Sequence, residues 1–239
     1  MLIQTIGSGS SGNCYRISDG QTELLLEAGI NFKTVQKALQ FKTSRIKGVL
    51  ITHEHLDHAG HMVEYMKNGL DCYLTNGTAN VIGVPEKYHH RLYRTITKEP
   101  FKIGTWTILP FDIEHDAKEP CGYLLKSDFG YKLLFVTDTY YVRYKFKGIT
   151  HIMLEINYVY EQMQKNIQEG TLHPGLAHRI MKSHFSLEHA SNFLQATDTS
   201  KLQEIHLIHL SNSNSNAPLI KDSIQKIAGV PVYIAGGKA

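Results

Sequence analysis

The stretch VLITHEHLDHAGH, residues 49–61, places four histidines and two acids within nine positions, directly after an apolar run. The run, as part of KGVLIT, reads as a short buried strand. His53 and His55 stand at alternate positions, so both rings point to one side while the chain stays extended. Asp57 and His58 fall where the next helix begins. A random chain with these His and Asp frequencies contains the pattern HxHxDH roughly two times in a thousand. That rarity sets the segment apart from ordinary polar surface and makes it a candidate metal site.

Three further ligand-type residues follow apolar strands. WTILPFDIEH ends at His115, YKLLFVTD at Asp138 and EIHLIH at His209. Taken singly, each histidine is a hydrogen-bonded side chain and the aspartate a turn or capping acid. Taken together, three strands deliver donors at their C-terminal ends, where open α/β sheets gather their ligands.

The rest of the chain supplies the frame. NCYRIS and TELLLEAG read as strands about a turn at Asp19-Gly20. NFKTVQKALQF has helical spacing with Asn31 as its cap, and HMVEYMKNG is a helix closed by Gly69. DCYLT and HIMLEIN are strands, and a hairpin is expected at Asp128-Phe129-Gly130. SLEHASNFLQATD is a helix with Ser186 and His189 in capping positions, and APLIKDSIQKIAG is the last helix. The expectation is one α/β domain over residues 1–239. Apolar residues make up 42% and charged residues 20% of the 239, as in ordinary soluble proteins. No apolar run reaches the length of a membrane span and the N-terminus does not read as a secretion signal. Three cysteines without CxxC spacing suit buried thiols in a cytoplasmic protein. A net charge of +3 does not by itself mark a nucleic-acid binder.

His53-Glu54-His55-Leu56-Asp57-His58, followed in order by His115, Asp138 and His209, resembles the metallo-β-lactamase superfamily across nearly the whole chain. More narrowly, GSGSSGNC near the N-terminus, EHDAKEPCGY around His115, VTDTYYV around Asp138, KSHFSLEHA around His184 and HLSNSN from His209 resemble the YycJ/WalJ group of small metallo-hydrolases. The resemblance implies a four-layer αββα sandwich with a two-metal site on one edge. The chain departs from the family at Glu27-Ala28-Gly29, where an aspartate usually precedes Ala-Gly and braces a histidine ligand. It departs again at Glu155-Ile156-Asn157-Tyr158, where the family often ends in histidine. Residues 161–175 do not align.

Carried over residue by residue, the resemblance assigns His53, His55 and His115 to one metal ion and Asp57, His58 and His209 to a second, with Asp138 bridging. Imidazole and carboxylate donors without thiolate suit Zn²⁺ or Mn²⁺. Two divalent ions, two aspartates and a bridging hydroxide leave a centre near +1, which favours a phosphodiester anion. Asp57 orients the hydroxide. His184 resembles the histidine that assists the leaving group in ribonuclease Z-like phosphodiesterases, with Glu155 as its orienting partner; the alternative for His184 is a capping role. After Asp138, Arg143, Tyr144 and Lys145 begin an alternation of bases and aromatics that continues to Lys147. Such a strand is either a half-buried one with a solvated face or a substrate contact for phosphates and bases. KYHHRLYR, from Lys87, reads as a surface insertion that extends this patch or forms a homodimer contact.

The expected function is a dinuclear metal phosphodiesterase acting on nucleic acid or nucleotide, a nuclease and possible exonuclease. The alternatives are a cyclic-nucleotide phosphodiesterase, a thioester or lactam hydrolase, and a metal-loaded binding protein without catalysis.

Overall fold

Alternating apolar segments fold into two compact units in the computed structural model, which describes residues 1–236. The first unit comprises Met1–Asp112 and Ala117–Tyr131; the second comprises Ile113–Asp116 and the chain from Lys132 onward.

The first unit is built on a six-stranded sheet. Its strands are β1 (Leu2–Gly7), β2 (Cys14–Ser18), β3 (Glu23–Leu26), β4 (Ile46–Leu50), β5 (Cys72–Thr75) and β6 (Leu92–Thr95), in spatial order β1-β2-β3-β4-β5-β6. The first three pair antiparallel and the rest parallel. Helices α1 (Phe32–Ala38), α2 (Leu56–Ala59), α3 (Met62–Lys67) and α4 (Asn76–Ile82) join the strands. Asn31 caps α1 by accepting from the Thr34 N–H, as its position predicts. Leu25, Val49, Ile51 and Leu74 from the strands meet Phe32, Val35, Met62 and Tyr65 from α1 and α3 in one buried cluster. Each such side chain contributes about 1.5–3 kcal/mol on burial. The unit also carries an antiparallel trio, β7 (Phe101–Ile103), β8 (Trp106–Asp112) and β9 (Cys121–Ser127).

Two small polar devices fasten this unit. Asp19, in the turn between β2 and β3, accepts from the Gln21 and Thr22 N–H groups (3.0 and 2.9 Å) and from the Thr105 and Ser127 hydroxyls (2.5 and 2.6 Å). Tyr123 in β9 donates its hydroxyl to the Ile51 carbonyl at 2.7 Å.

In the second unit, β10 (Lys132–Val136), β11 (His151–Glu155), β12 (Glu204–Ile208) and β13 (Val232–Ile234) pair in parallel, in the order β13-β12-β11-β10. The helices are α5 (Tyr160–Gln168), α6 (Pro174–Ser183), α7 (Leu187–Gln195) and α8 (Ala217–Ala228). The Ser186 hydroxyl accepts from the His189 N–H and so caps α7, and Gly229 closes α8 in the left-handed region with φ 67°.

Several segments differ from the sequence reading. Leu2–Gly7, not recognised as a strand, pairs with β2. KYHHRLYR has regular structure: Glu86–Arg91 is a 3-10 turn and Leu92–Thr95 is the edge strand of the six-stranded sheet. Residues 139–148 form no strand. They lie outside any strand, with the expected alternation surviving as buried Val142 and Phe146 against exposed Arg143, Lys145 and Lys147. The unaligned 161–175 region contains most of α5 and the start of α6, whose apolar faces meet around Tyr158, Met163, Leu172 and Ala177. Tyr158, where the family often has histidine, is thus a core residue. The three cysteines are buried and free, and burial pushes the Cys14 and Cys121 thiols up to about 12.

Candidate metal-binding residues

In the first unit the donors sit between β4 and α2. Thr52 and His53 leave the strand, His55 is the N-cap of α2, and Asp57 and His58 lie in its single turn. His53 Nε2 is 3.1 Å from His55 Nδ1, the His53 and His58 rings are 4.2 Å apart, and His58 Nε2 is 3.3 Å from Asp57 Oδ2. All four predicted donors of this segment therefore converge. Glu54 points elsewhere: its carboxylate accepts from the Lys118 N–H at 2.7 Å and anchors the loop.

The surrounding backbone holds this turn in place. The Asn13 N–H donates to the Asp57 carbonyl (2.7 Å), the Ala28 N–H to the His58 carbonyl (2.6 Å) and the His61 N–H to the Ala28 carbonyl (2.9 Å). A Cβ at Gly29 would collide with the Asp57 carbonyl oxygen, so only glycine permits this approach. The Asn13 side chain, buried, donates to the same carbonyl at 3.1 Å and lies 3.3 Å from His58 Nε2. Asn13 was not singled out from the sequence, although the GSGSSGN run containing it was.

Glu27 supports the donors from below. It is fully buried at φ 68°, with Oε1 accepting from the Thr52 hydroxyl at 2.7 Å and lying 3.6 Å from His58 Nδ1. With Glu27 ionised, Thr52 spends its proton on the carboxylate, so its oxygen must accept from His53 Nδ1 at 2.9 Å. His53 Nε2 is then left with its lone pair, the form a metal requires. Burial lifts the Glu27 pKa above its ordinary value against the opposing pull of His58 and the Thr52 hydrogen bonds. The longer side chain, in place of the usual aspartate, thus reaches two histidines, one directly and one through Thr52.

In the second unit the donors come from separate strand ends. Asp138 follows β10 by two residues, Glu155 ends β11 and His209 follows β12. His115 Nε2 lies 3.6 Å from Asp138 Oδ2, and His209 Nδ1 lies 3.5 Å from Asp138 Oδ1. Asp138 and His209 adopt φ values of 47° and 52°. Such left-handed backbone costs a non-glycine residue about 1–3 kcal/mol and clusters at functional sites. His115 Nδ1 faces the Ser183 carbonyl at 3.0 Å; a carbonyl only accepts, so the proton is on Nδ1 and Nε2 keeps its lone pair. Burial lowers the His115 pKa despite the opposing pull of Asp138, which keeps the ring neutral.

Glu155 is fully buried and serves two histidines. Its Oε1 is 2.6 Å from His184 Nδ1 and 3.1 Å from His209 Nδ1, while Oε2 accepts from the Thr139 N–H at 3.2 Å. The sequence reading gave it only His184. Burial alone would discharge His184, but the Glu155 carboxylate outweighs it and carries the His184 pKa above the usual histidine value. Burial likewise opposes charge on Glu155, and the two imidazoles hold its pKa below the ordinary carboxylate range. Donor atoms of Asp138, Glu155, His184 and His209 all lie within 4.8 Å of one another. Asn157 was also missed; its side-chain amide donates to the His209 carbonyl at 3.2 Å.

The predicted substrate contacts Arg143, Tyr144 and Lys145 lie along a pocket of about 490 Å³ in the second unit. Arg143 is paired with Glu114.

A family profile described as the Beta-lactamase superfamily domain matches residues 22–207. The chain belongs to the metallo-β-lactamase superfamily. It is 27% identical to "Exodeoxyribonuclease YycJ" of Bacillus anthracis, over 94% of this chain and 88% of that protein. It is 29% identical to "Exodeoxyribonuclease WalJ" of Streptococcus pneumoniae, over 88% and 81%. Among solved structures it is similar to the metallo-β-lactamase fold protein YhfI from Bacillus subtilis, with a TM-score of 0.72 at 15% identity over 98% of this chain and 95% of that one. It is also similar to human tRNase Z, short form, with a TM-score of 0.68 at 16% identity over 98% and 96%. The fold is the metallo-β-lactamase fold the sequence implies, and membership makes the chain a metal-dependent hydrolase. Among the described residues, no helix is long and apolar enough to cross a membrane.

Proposed function

We propose that this superfamily member is a dinuclear phosphodiesterase that cleaves nucleic acid, and specifically a DNA exonuclease of the cytoplasm. The ligand set is the one the family resemblance implies: His53, His55 and His115 for one divalent ion, Asp57, His58 and His209 for the other, and Asp138 shared. Neutral imidazole and carboxylate donors, with the His115 tautomer pinned by the Ser183 carbonyl, fit Zn²⁺ or Mn²⁺. When bound, such ions supply Lewis acidity and an activated water as nucleophile.

The observation that carries the phosphodiester reading is the His184–Glu155 pair. A carboxylate 2.6 Å from Nδ1 favours the protonated form of that imidazole, with Asp138 and His209 donors alongside it. A protonated imidazole beside the ligand set stabilises charge on a phosphoryl oxygen and delivers a proton to a poor leaving group such as a sugar hydroxyl. Asp57, on the α2 turn, orients the nucleophile. The exodeoxyribonuclease names of the YycJ and WalJ relatives favour DNA among the phosphodiesters.

The test is cleavage by the chain, loaded with Mn²⁺ or Zn²⁺, of end-labelled single-stranded DNA, RNA and a cyclic nucleotide in parallel. DNA shortened from one end is the expected result. A polymer substrate also makes binding strongly salt-dependent through Arg143 and Lys145. Turnover of the cyclic nucleotide alone, with a flat salt response, overturns the nuclease reading.

A further inference from the structure

The second unit holds a pocket of about 490 Å³ that the ligand set does not use. One wall is the irregular 139–148 segment and the other is α7 with the residue that leads into it. Tyr141 and Tyr144 stand on the first wall, Phe185 and Phe193 on the second. The two phenylalanine rings lie 6.1 Å apart, with Phe185 fully buried as the floor. Tyr140 and Tyr141 are 38% and 56% exposed. Two large aromatics side by side in solvent on a segment outside any sheet contribute little to the core, and they mark a binding surface. Arg143 and Lys145, both exposed, line the same pocket.

The pocket is tied by the chain to the reacting groups of its own unit. Tyr140 follows Asp138 by two residues, and Phe185 follows His184 directly. The Thr139 hydroxyl accepts from the Glu114 and Tyr141 N–H groups at 3.1 and 3.2 Å, while the Thr139 N–H holds Glu155. The aromatic wall therefore grows out of the backbone that fixes the Glu155–His184 pair.

We infer that this pocket takes one unpaired nucleobase of the substrate strand, stacked against Tyr141 and Phe193, while Arg143 and Lys145 hold the flanking phosphates. The inference rests on the nuclease reading and adds its strand requirement: the base must be out of a duplex. An aromatic slot of this size accommodates a planar heterocycle, stacking accepts any base, and cations at the rim match the phosphates that a strand brings with every base. Asn192 and His189, polar residues lining the same pocket, are placed to hydrogen-bond a base edge and give a modest base preference.

Binding of a short DNA strand with a terminal 2-aminopurine and phosphorothioate linkages, which resist cleavage, tests this with the Mn²⁺-loaded chain. Stacking quenches the probe, so fluorescence should fall on binding to the wild type and to Tyr141→Phe. Tyr141→Ala, an exposed position whose loss spares the core, should weaken binding about tenfold or more. The same base paired in a blunt duplex should not quench. Equal quenching and affinity in Tyr141→Ala overturn the pocket, as does quenching by the duplex. A change of oligomeric state in Tyr141→Ala by light scattering, without any probe quenching in the wild type, assigns the surface to a second copy instead and also overturns it. Because the readout involves no hydrolysis, the two readings fail separately. Tyrosine-dependent quenching in a chain that cleaves no nucleic acid upholds the pocket and refutes the nuclease, whereas DNA cleavage with no tyrosine dependence does the reverse.

Discussion

The two units assemble their donors in opposite ways. In the first, four donors occupy the six residues His53 to His58, and one short turn brings them together. In the second, the residues come from five places in the chain: Asp138, Glu155 and His209 from the adjacent ends of β10, β11 and β12, His115 from the segment after β8, and His184 from the end of α6. Each group leans on one buried carboxylate: Glu27 in the first, at positive φ and linked to His53 through Thr52, and Glu155 in the second, linked directly to His184 and His209. A local donor group needs little from the fold beyond a clamp. A dispersed one requires left-handed backbone at Asp138 and His209 and a shared brace, so single changes in the second unit should reach further.

The largest effects test whether the dispersed donors are ligands at all. Asp138→Ala and His209→Ala should lose bound metal and bring hydrolysis to background, as judged by elemental analysis and cleavage of labelled DNA. Retention of both metal and activity in either variant removes that residue from the ligand set.

His184→Ala should behave differently. A proton-delivering group is worth about 10²–10⁴ in rate, so turnover of DNA should drop by that factor while metal content stays near normal. An activated nitrophenyl ester, which departs without a proton, should suffer less. Loss of metal, or wild-type rates on both substrates, returns His184 to a capping role.

How much of this was readable beforehand follows the same division. HxHxDH was legible because its donors are neighbours and its spacing is rare. His115, Asp138 and His209 were legible as strand-terminal residues, and their grouping was supplied by the family resemblance. The double service of Glu155 was not legible, since it depends on α6 ending at His184 beside the ends of β11 and β12. Nor were the φ values of Asp138 and His209, because Asp and His, though enriched in left-handed backbone, adopt it at only a minority of positions. The 139–148 segment shows the limit of periodicity: its alternation reads as a strand, yet it joins no sheet, and the alternation reports one buried side alone. Residues of α5 and α6 did carry signals, with Met163 and Ile167 four apart and Pro174 at the first helical turn.

A smaller contrast is expected between the two braces. Changes to such supporting residues typically cost about 10–100-fold in metal affinity or activity. Glu27→Gln offers Thr52 an amide donor, which reverses the relay to His53, so metal affinity should fall within that range. Glu155→Gln loses the anion shared by two histidines and sets an amide against the Thr139 N–H. It should lower both metal affinity and the metal-saturated rate. A Glu155→Gln variant that keeps full metal affinity would falsify its service to His209.

Stability against acid is the mildest difference. His151, buried at the start of β11, is held neutral by burial with its pKa lowered to about 4, against the pull of Glu204. The unfolded histidine titrates near 6.5, so below that value the unfolded state binds the extra proton. The second unit should thus lose stability as pH falls from about 6.5 to 4, by about 3 kcal/mol at most. Asp19 acts in the other pH range: burial opposes its charge, but four hydrogen bonds hold its pKa below the ordinary value. Its contribution to the first unit is full above about 4 and goes only as pH drops through the lowered folded value. Hydrogen exchange at pH 5 should show β11 losing protection before β2 and β3, and a His151→Gln chain should not show that lead.

The proposed dinuclear centre is tested most directly by elemental analysis. The chain loaded with Mn²⁺ or Zn²⁺ and freed of excess ion should carry about two ions. A reproducible value near zero contradicts it.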